Sequence, residues 1–374
     1  MSNPIIKQVH DLGQSVWLDY LSRKMLQDGS LKHLIEEVGI YGMTSNPAIF
    51  QKAISDSEVY DEAIKECVNE GLSNKDIYER LAVSDIQGVA DRFSSLYQQT
   101  HKEDGYVSLE VAPDLVHDTK GTIEEARRLW KWVDRPNVMI KVPGTTAGIP
   151  AITQLLSEGI NINVTLLFSV ERYRAVAEAY LEGLQQRLDQ GLPIDHIASV
   201  ASFFLSRIDV MVDELLEKAS EKYPARKAEI LNLRGEAAIA NAKIAYQVYE
   251  EVFQSGRFQK LQERGGNVQR LLWASTSTKN PDYDDLKYVH PLIGSPTVNT
   301  MPQNTLDALI EKGKPSDSLK DGLGHSHEVV SKLMDLGIDL EKVAEKLEEE
   351  GIEKFEKPFK QLLHTIADAR KSLV

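Results

Sequence analysis

Residues 137–151 read NVMIKVPGTTAGIPA. Asn137 to Val142 runs like a strand through a protein core, yet Lys141 stands in the middle of it. Lysine is among the side chains least often fully buried unless it is paired. The glycines that follow lack the G-x-x-x-x-G-K-[ST] order of a nucleotide P-loop, so they read as a turn from a strand into a helix. The stretch is thus one strand–turn–helix unit with a charge near the strand's end. Whether the unit repeats decides the fold.

It does repeat. Strand-length apolar runs occur at SVWLDYL (15–21), IYGMTSN (40–46), YVSLEVAP (106–113), NVMIKVP (137–143), INVTLLFS (162–169), HIASVASFFLS (196–206), RLLWAST (270–276) and YVHPLIGSPTVN (288–299). Between them, SLKHLIEEV, SVERYRAVAEAYLEGLQQRL and AAIANAKIAYQVYEEVFQS space apolar residues at i, i+3, i+4, as amphipathic helices do. Near-continuously apolar strands alternating with helices predict a parallel sheet covered on both faces. Eight such units favour a closed (β/α)8 barrel over an open α/β sheet, and no G-x-G-x-x-G turn supports a dinucleotide-binding alternative.

The spacing of the runs predicts one domain over residues 1–374, with additional helices at both termini. Inserted helices are expected at about 47–105 and 207–269, with room only for a short one at 277–287. A helical extension is expected at about 303–374. Within that extension Phe355, Phe359 and Leu362 share a stripe that should pack across the barrel.

Composition bounds the function. With 43 Lys and Arg against 57 Asp and Glu, the formal net charge is −14. A surplus of cations, which nucleic-acid binding needs, is absent, so no nucleic-acid partner is expected. An anionic ligand would need cations gathered locally in a cleft. No apolar run approaches the roughly 20 residues of a membrane span, and MSNPIIKQVHDLGQ lacks the pattern of a signal peptide, so no membrane partner and a cytoplasmic location are expected. The single cysteine, Cys67, sits in a helix-like setting (DEAIKECVNE) and reads as structural.

In a barrel of this kind the active site lies at the C-terminal ends of the strands. The runs place there Asp19; Thr44, Ser45 and Asn46; Glu110; Lys141; Asn163 and Thr165; Ser202 and Arg207; and Ser275, Thr276 and Ser277, with Lys279 just beyond. An unpaired buried charge is costly, so several charges on different strands are hard to explain as packing. Desolvation moves a lysine toward its neutral amine, a nucleophile that forms a Schiff base with a carbonyl. The protonated Schiff base withdraws electrons and lets a nearby carbon–carbon bond break. A carboxylate must then carry the hydroxyl proton, and Asp19 and Glu110 are candidates. Asn46, Asn163, Ser202 and Thr165 could orient hydroxyl groups. Arg207, Ser275 and Lys279 read either as a local anion site or as solvated ends of elements.

The nine histidines are scattered and no His–carboxylate cluster falls at a strand end, so no metal is expected. Gly-His-Ser-His at 324–327 reads as a Gly-rich solvent loop beyond the last strand.

Taken together and in order, GMTSNPAIF, SLEVAP, VMIKVPGTTAGI, GININVTLLFS and VASFFLSRID resemble the transaldolase family, and LLWASTSTKNP resembles its longer bacterial members. The likeness runs from about Asp19 to Thr300. It implies a cofactor-free class I enzyme of the pentose phosphate pathway. Such an enzyme moves a dihydroxyacetone unit from sedoheptulose 7-phosphate or fructose 6-phosphate to glyceraldehyde 3-phosphate or erythrose 4-phosphate. By the same resemblance Lys141 is the Schiff-base lysine and Asp19 the acid/base for cleavage. Glu110 and Thr165 position a water that moves protons; Asn46, Asn163 and Ser202 surround the dihydroxyacetone unit; Arg207 and Ser275 hold phosphate.

One position departs from the shorter members, which carry a phosphate arginine where this chain has Ser277; Lys279 is expected to replace it. Arg23 is a further candidate anion contact. A Schiff-base fructose-6-phosphate aldolase and a non-catalytic phosphosugar-binding barrel are the alternatives; related short aldolases lack the carboxylate at the Glu110 position. The chain is expected to act as a monomer or a homodimer.

Overall fold

The structure, a computed structural model, describes residues 3–373. Eight parallel strands close in sequence order into a barrel: β1 (Gln14–Leu18), β2 (Gly42–Met43), β3 (Tyr106–Glu110), β4 (Val138–Pro143), β5 (Ile162–Leu167), β6 (Ser199–Phe204), β7 (Arg270–Ala274) and β8 (Thr297–Met301). Every strand residue is buried, as expected when helices cover the outside and side chains fill the inside.

Alternation along each strand assigns the faces. In β4, Val138, Ile140 and Val142 face the helices, while Met139 and Lys141 face the interior. Glu110 of β3 and Asn163 of β5 pair with Lys141 in register, so three polar side chains share one level of the barrel.

Caps fix where the helices start. Asn46 caps Pro47–Ser55, its Oδ1 accepting from the Ile49 N–H at 3.0 Å, with Pro47 at the first helical position. Ser169 likewise caps Val170–Asp189, accepting from Arg172 N–H at 2.9 Å. Residues 47–105 form the helices Pro47–Ser55, Asp61–Asn69 and Asn74–Gln99, and 207–269 hold Ser206–Lys222, Lys227–Leu231, Ala237–Phe253 and Gly256–Gln262.

Three readings need adjustment. The run 40–46 contributes only two strand residues, because Thr44 and Ser45 turn their hydroxyls onto neighbouring elements, Asp19 and the Ser108 carbonyl. The run 288–299 is a strand only from Thr297; His290–Leu292 is a 3-10 turn. Gly324–His327 is not a loop but part of the helix Leu323–Asp335, where His325 lies 3.5 Å from Glu236 and His327 meets Gln247. Cys67 is buried in its helix. Among the described residues, no helix is long and apolar enough to cross a membrane.

The barrel's two ends differ. At the N-terminal end Arg270 pairs with Asp104 at 2.9 Å, and Ser15 and Trp17 also bond to that carboxylate, which plugs the interior. At the C-terminal end the long helix Leu340–Leu373 lies across the mouth. Phe359, Leu362 and Ile366 of this helix are buried, each burial contributing about 1.5–3 kcal/mol, and Phe359 meets Tyr78 edge to face.

Candidate active site

The C-terminal ends of the strands enclose a cavity of about 260 Å³. Its walls include Asp19, Asn46, Lys141, Thr165, Ser202, Arg207, Ser275 and Lys279, eight of the ten residues singled out from the sequence. The other two lie one layer back. Glu110 reaches Lys141 from β3, and Asn163 lies below Ser202, whose hydroxyl donates to Asn163 Oδ1 at 2.7 Å. Asn163 in turn donates to Ser108 Oγ at 3.0 Å. That chain fixes which end of the Asn163 amide faces each neighbour, and so fixes the Ser202 hydroxyl.

Lys141 is 5% exposed. Its Nζ donates to the Ser45 carbonyl at 3.1 Å and lies 3.3 Å from Glu110 Oε2. The ring of Phe355, from the C-terminal helix, has its centre 5.9 Å from the same nitrogen. This answers how a strand tolerates the lysine. Its charge is paired, and a backbone carbonyl accepts a further hydrogen bond from it.

Asp19 follows β1 directly, anchored by its own N–H to the Met301 carbonyl at 2.9 Å. Thr44 donates to Asp19 Oδ1 at 2.7 Å and stands 2.7 Å from Thr300 Oγ1. Burial raises the Asp19 carboxyl above the usual carboxylate range, opposed by the Thr44 hydrogen bond and by the fields of Lys141 and Lys279. Burial raises Glu110 as well, opposed by Lys141 and reinforced by Asp19. Two carboxylic groups near one amine thus have different partners: a hydroxyl for Asp19, the ammonium for Glu110.

Thr165 precedes a kink. The β5–β6 register slips between Val164 and Leu167, and Leu166 has φ +60°, a left-handed conformation that a leucine rarely adopts. Strain of that kind, of order 1–3 kcal/mol, clusters at functional sites. The Thr165 hydroxyl is buried with no hydrogen-bond partner among the described residues. Ser275, just past β7, also has a positive φ of 56°, and its hydroxyl lies 2.9 Å from Ser206 Oγ.

The cationic end of the cavity comes from Arg207 and Lys279. Burial lowers the Arg207 guanidinium from its ordinary value, and one of its nitrogens, Nη1, is buried with no hydrogen-bond partner among the described residues. Lys279 stands on the exposed rim, donates to Ser277 Oγ at 2.8 Å, and is lowered by desolvation and by Arg207. A buried guanidinium N–H without an acceptor, beside a second cation, is a ready place for an anion.

Arg23 does not join them. It is tied to Asp85 at 2.7 Å and lies over the Tyr60 ring, away from the cavity. The buried Asp85 carboxylate, which also accepts from the Tyr60 hydroxyl, claims the guanidinium. The structure adds wall residues that the sequence reading did not place in the site, namely Phe204, Ala274, Thr300, Pro302 and, over Lys141, Phe355, which was expected only to pack across the barrel.

Comparison with known proteins agrees with this geometry. A family model described as Transaldolase/Fructose-6-phosphate aldolase matches residues 16–366. The chain is 46% identical over 371 residues to Transaldolase 2 of a Nostoc species, covering 98% of this chain and 97% of that one. It is 47% identical to the transaldolase of Trichodesmium erythraeum over 370 residues, covering 98% and 97%. With the transaldolase of Saccharopolyspora erythraea it shares 47% over 368 residues, 98% of each chain. On the strength of the matched barrel and these full-length relatives, the chain belongs to the transaldolase/fructose-6-phosphate aldolase family.

Proposed function

We propose that this family member is a transaldolase that carries a dihydroxyacetone unit on Lys141. The observation that carries the reading is the buried Lys141 amine, held against Glu110 on one side and facing a cavity with Asp19 in its wall. The donor is a ketose phosphate such as fructose 6-phosphate or sedoheptulose 7-phosphate, and the acceptor an aldose phosphate. The setting is the pentose phosphate pathway.

Glu110 takes the ammonium proton of Lys141, the neutral amine attacks the ketose carbonyl carbon, C2, and the carbonyl oxygen leaves as water with that proton returned, giving a protonated Schiff base. Glu110 moves the protons of that step, assisted by the unpartnered Thr165 hydroxyl through a water. Asp19, as carboxylate, takes the proton of the C4 hydroxyl. The C3–C4 bond breaks, its electron pair passes to the Schiff base, and the aldose leaves. The enamine that remains attacks the acceptor aldehyde, and Asp19 returns its proton to the new hydroxyl. Water then releases the product ketose and regenerates Lys141.

Asn46, Asn163 and Ser202 orient the three-carbon unit. Arg207, Ser275 and Lys279 take the phosphate at the far end, as a fork, a hydroxyl and a point charge. Holding both ends while excluding water supplies the orientation on which such a transfer depends.

The test is chemical trapping. Incubated with fructose 6-phosphate and reduced with borohydride, the protein should gain a dihydroxyacetone adduct at Lys141, located by peptide mass. Absence of the adduct under turnover conditions overturns the reading.

A further inference from the structure

The cationic end of the cavity is built from two separate segments. Arg207 stands in the first turn of the helix Ser206–Lys222, whereas Ser275, Ser277 and Lys279 lie on the long connection between β7 and β8. The sequence leaves that connection without a helix longer than a 3-10 turn, so nothing regular fixes its course. Two cations facing one cavity also repel each other when no anion is bound. Something away from the cavity must therefore hold the loop against the helix.

Two buried carboxylates one turn apart do this. Asp209 is 0% exposed; its Oδ2 accepts from the Tyr288 hydroxyl at 2.8 Å and its Oδ1 from the Ala238 N–H at 2.7 Å. Asp213 is 7% exposed; its Oδ2 accepts from the Tyr283 hydroxyl at 2.5 Å and its Oδ1 from the Gly235 N–H at 2.8 Å. Each carboxylate thus joins three segments: its own helix, the first turn of Ala237–Phe253 (for Asp209) or the turn leading to it (for Asp213), and the loop that carries Lys279. Gly235 shows how closely the parts fit. Its φ is +73°, and a Cβ there would stand 2.8 Å from the Tyr283 hydroxyl. Lys287 lies over the Tyr283 ring at 4.5 Å, closing the cluster from outside.

None of these residues lines the cavity. Burying two carboxylates is costly, and plain helix–loop packing would need neither. What the arrangement provides is direction, because each hydroxyl–carboxylate bond fixes one point of the loop relative to the helix whose first turn carries Arg207.

We propose that Asp209–Tyr288 and Asp213–Tyr283 are positioning pairs that hold Lys279 beside Arg207 and thereby set the affinity of the site for the phosphate end of its substrate. The inference rests on the reading of Arg207 and Lys279 as phosphate ligands.

The test compares Tyr283→Phe, Tyr288→Phe, the double variant and Lys279→Ala. For each, kcat and KM are measured with fructose 6-phosphate and with unphosphorylated fructose as donors, together with competitive inhibition by inorganic phosphate. The double tyrosine variant should raise KM for fructose 6-phosphate and the inhibition constant for phosphate by about tenfold, the loss of one good orienting contact. Its kcat, and its kcat/KM for fructose, should stay within about twofold. An equal fall for both donors, or an unchanged phosphate constant, overturns the proposal, since a merely structural role would not distinguish the donors. If Lys279→Ala itself leaves the phosphate constant unchanged, the phosphate reading fails and the proposal with it. If Lys279→Ala raises the constant and the tyrosine variants do not, only the positioning role fails. Should Tyr288→Phe not fold, Tyr283→Phe, at a partly exposed position, carries the same expectation alone.

Discussion

Glu110 and Lys141 occupy paired positions of adjacent parallel strands, and their charged ends meet at 3.3 Å with both side chains about 6% exposed. Neither has a backbone route away from the other, because strand register fixes both. The pair therefore acts as a unit in which each group sets the environment of its neighbour.

Replacing Glu110 with Gln keeps the shape and removes the proton carrier. We expect kcat to fall by about 10²–10⁴-fold, the usual range for a lost general acid/base. Borohydride should still trap an adduct at Lys141, but more slowly. Lys141→Met should lose the adduct entirely while still binding phosphosugar, since the cationic end of the cavity is untouched. Adduct formation in Lys141→Met, followed by peptide mass, would show that another amine does the chemistry.

The pH profile follows from Asp19. In the proposed mechanism cleavage needs its carboxylate form, and burial raises its titration above the ordinary range. A raised value means that the protonated form persists to higher pH. The acid limb of kcat/KM should therefore lie above about pH 4, where an unperturbed Asp would place it, with activity increasing as pH rises through the limb. Thr44 stabilises the carboxylate through its 2.7 Å hydrogen bond, so Thr44→Val should move the limb further up. A limb that stays in place in Thr44→Val would assign it to a different group.

Much of this was legible in the sequence, for a physical reason. Asp19, Glu110 and Lys141 are charges within or at the end of strand-length apolar runs, and such charges stand out because burying them is costly. The closed barrel follows from eight such runs alternating with helices. Arg23 misled because a sequence does not show that Asp85, on a distant helix, is its partner. Phe204 sits within an apolar run and Thr300 just beyond one, where such residues are ordinary, so nothing marks them as cavity walls. Phe355 belongs to a visible helical stripe, but helical periodicity shows which residues share a face, not where that face lands. The strain at Leu166 and Ser275 leaves no mark in residue type at all.

Phe355 gives the third prediction. Its ring covers the Lys141 amine from the C-terminal helix, which approaches the barrel closely at Gly351, where a Cβ would lie 3.0 Å from Leu166. In the proposed mechanism a ring over the amine would keep water from the enamine while it waits for an acceptor. Phe355→Ala should raise the release of free dihydroxyacetone relative to transfer by several-fold, about the effect of a modest change in water access, while leaving trapping at Lys141 intact. Product analysis with and without an acceptor aldose measures the ratio. An unchanged ratio would mean that the ring only anchors the helix.

The opposite end of the barrel should respond differently. Arg270 and Asp104 form a buried pair at 2.9 Å, with Ser15 and Trp17 on the same carboxylate and the Glu103 carbonyl on the guanidinium at 2.7 Å. Replacing Asp104 with Ala leaves Arg270 charged in the barrel interior with only neutral acceptors. Breaking a buried pair in this way costs about 3–5 kcal/mol, because the remaining charge is uncompensated. The midpoint of urea unfolding should fall accordingly, with an unchanged denaturant slope. The site lies at the other end of the strands, where barrels of this kind keep their chemistry. Below the unfolding transition, kcat per folded molecule should therefore match the parent. A loss of kcat at full folding would mean that the two ends of the barrel are coupled through the strands, and that the plug helps to set the register in which Glu110 meets Lys141.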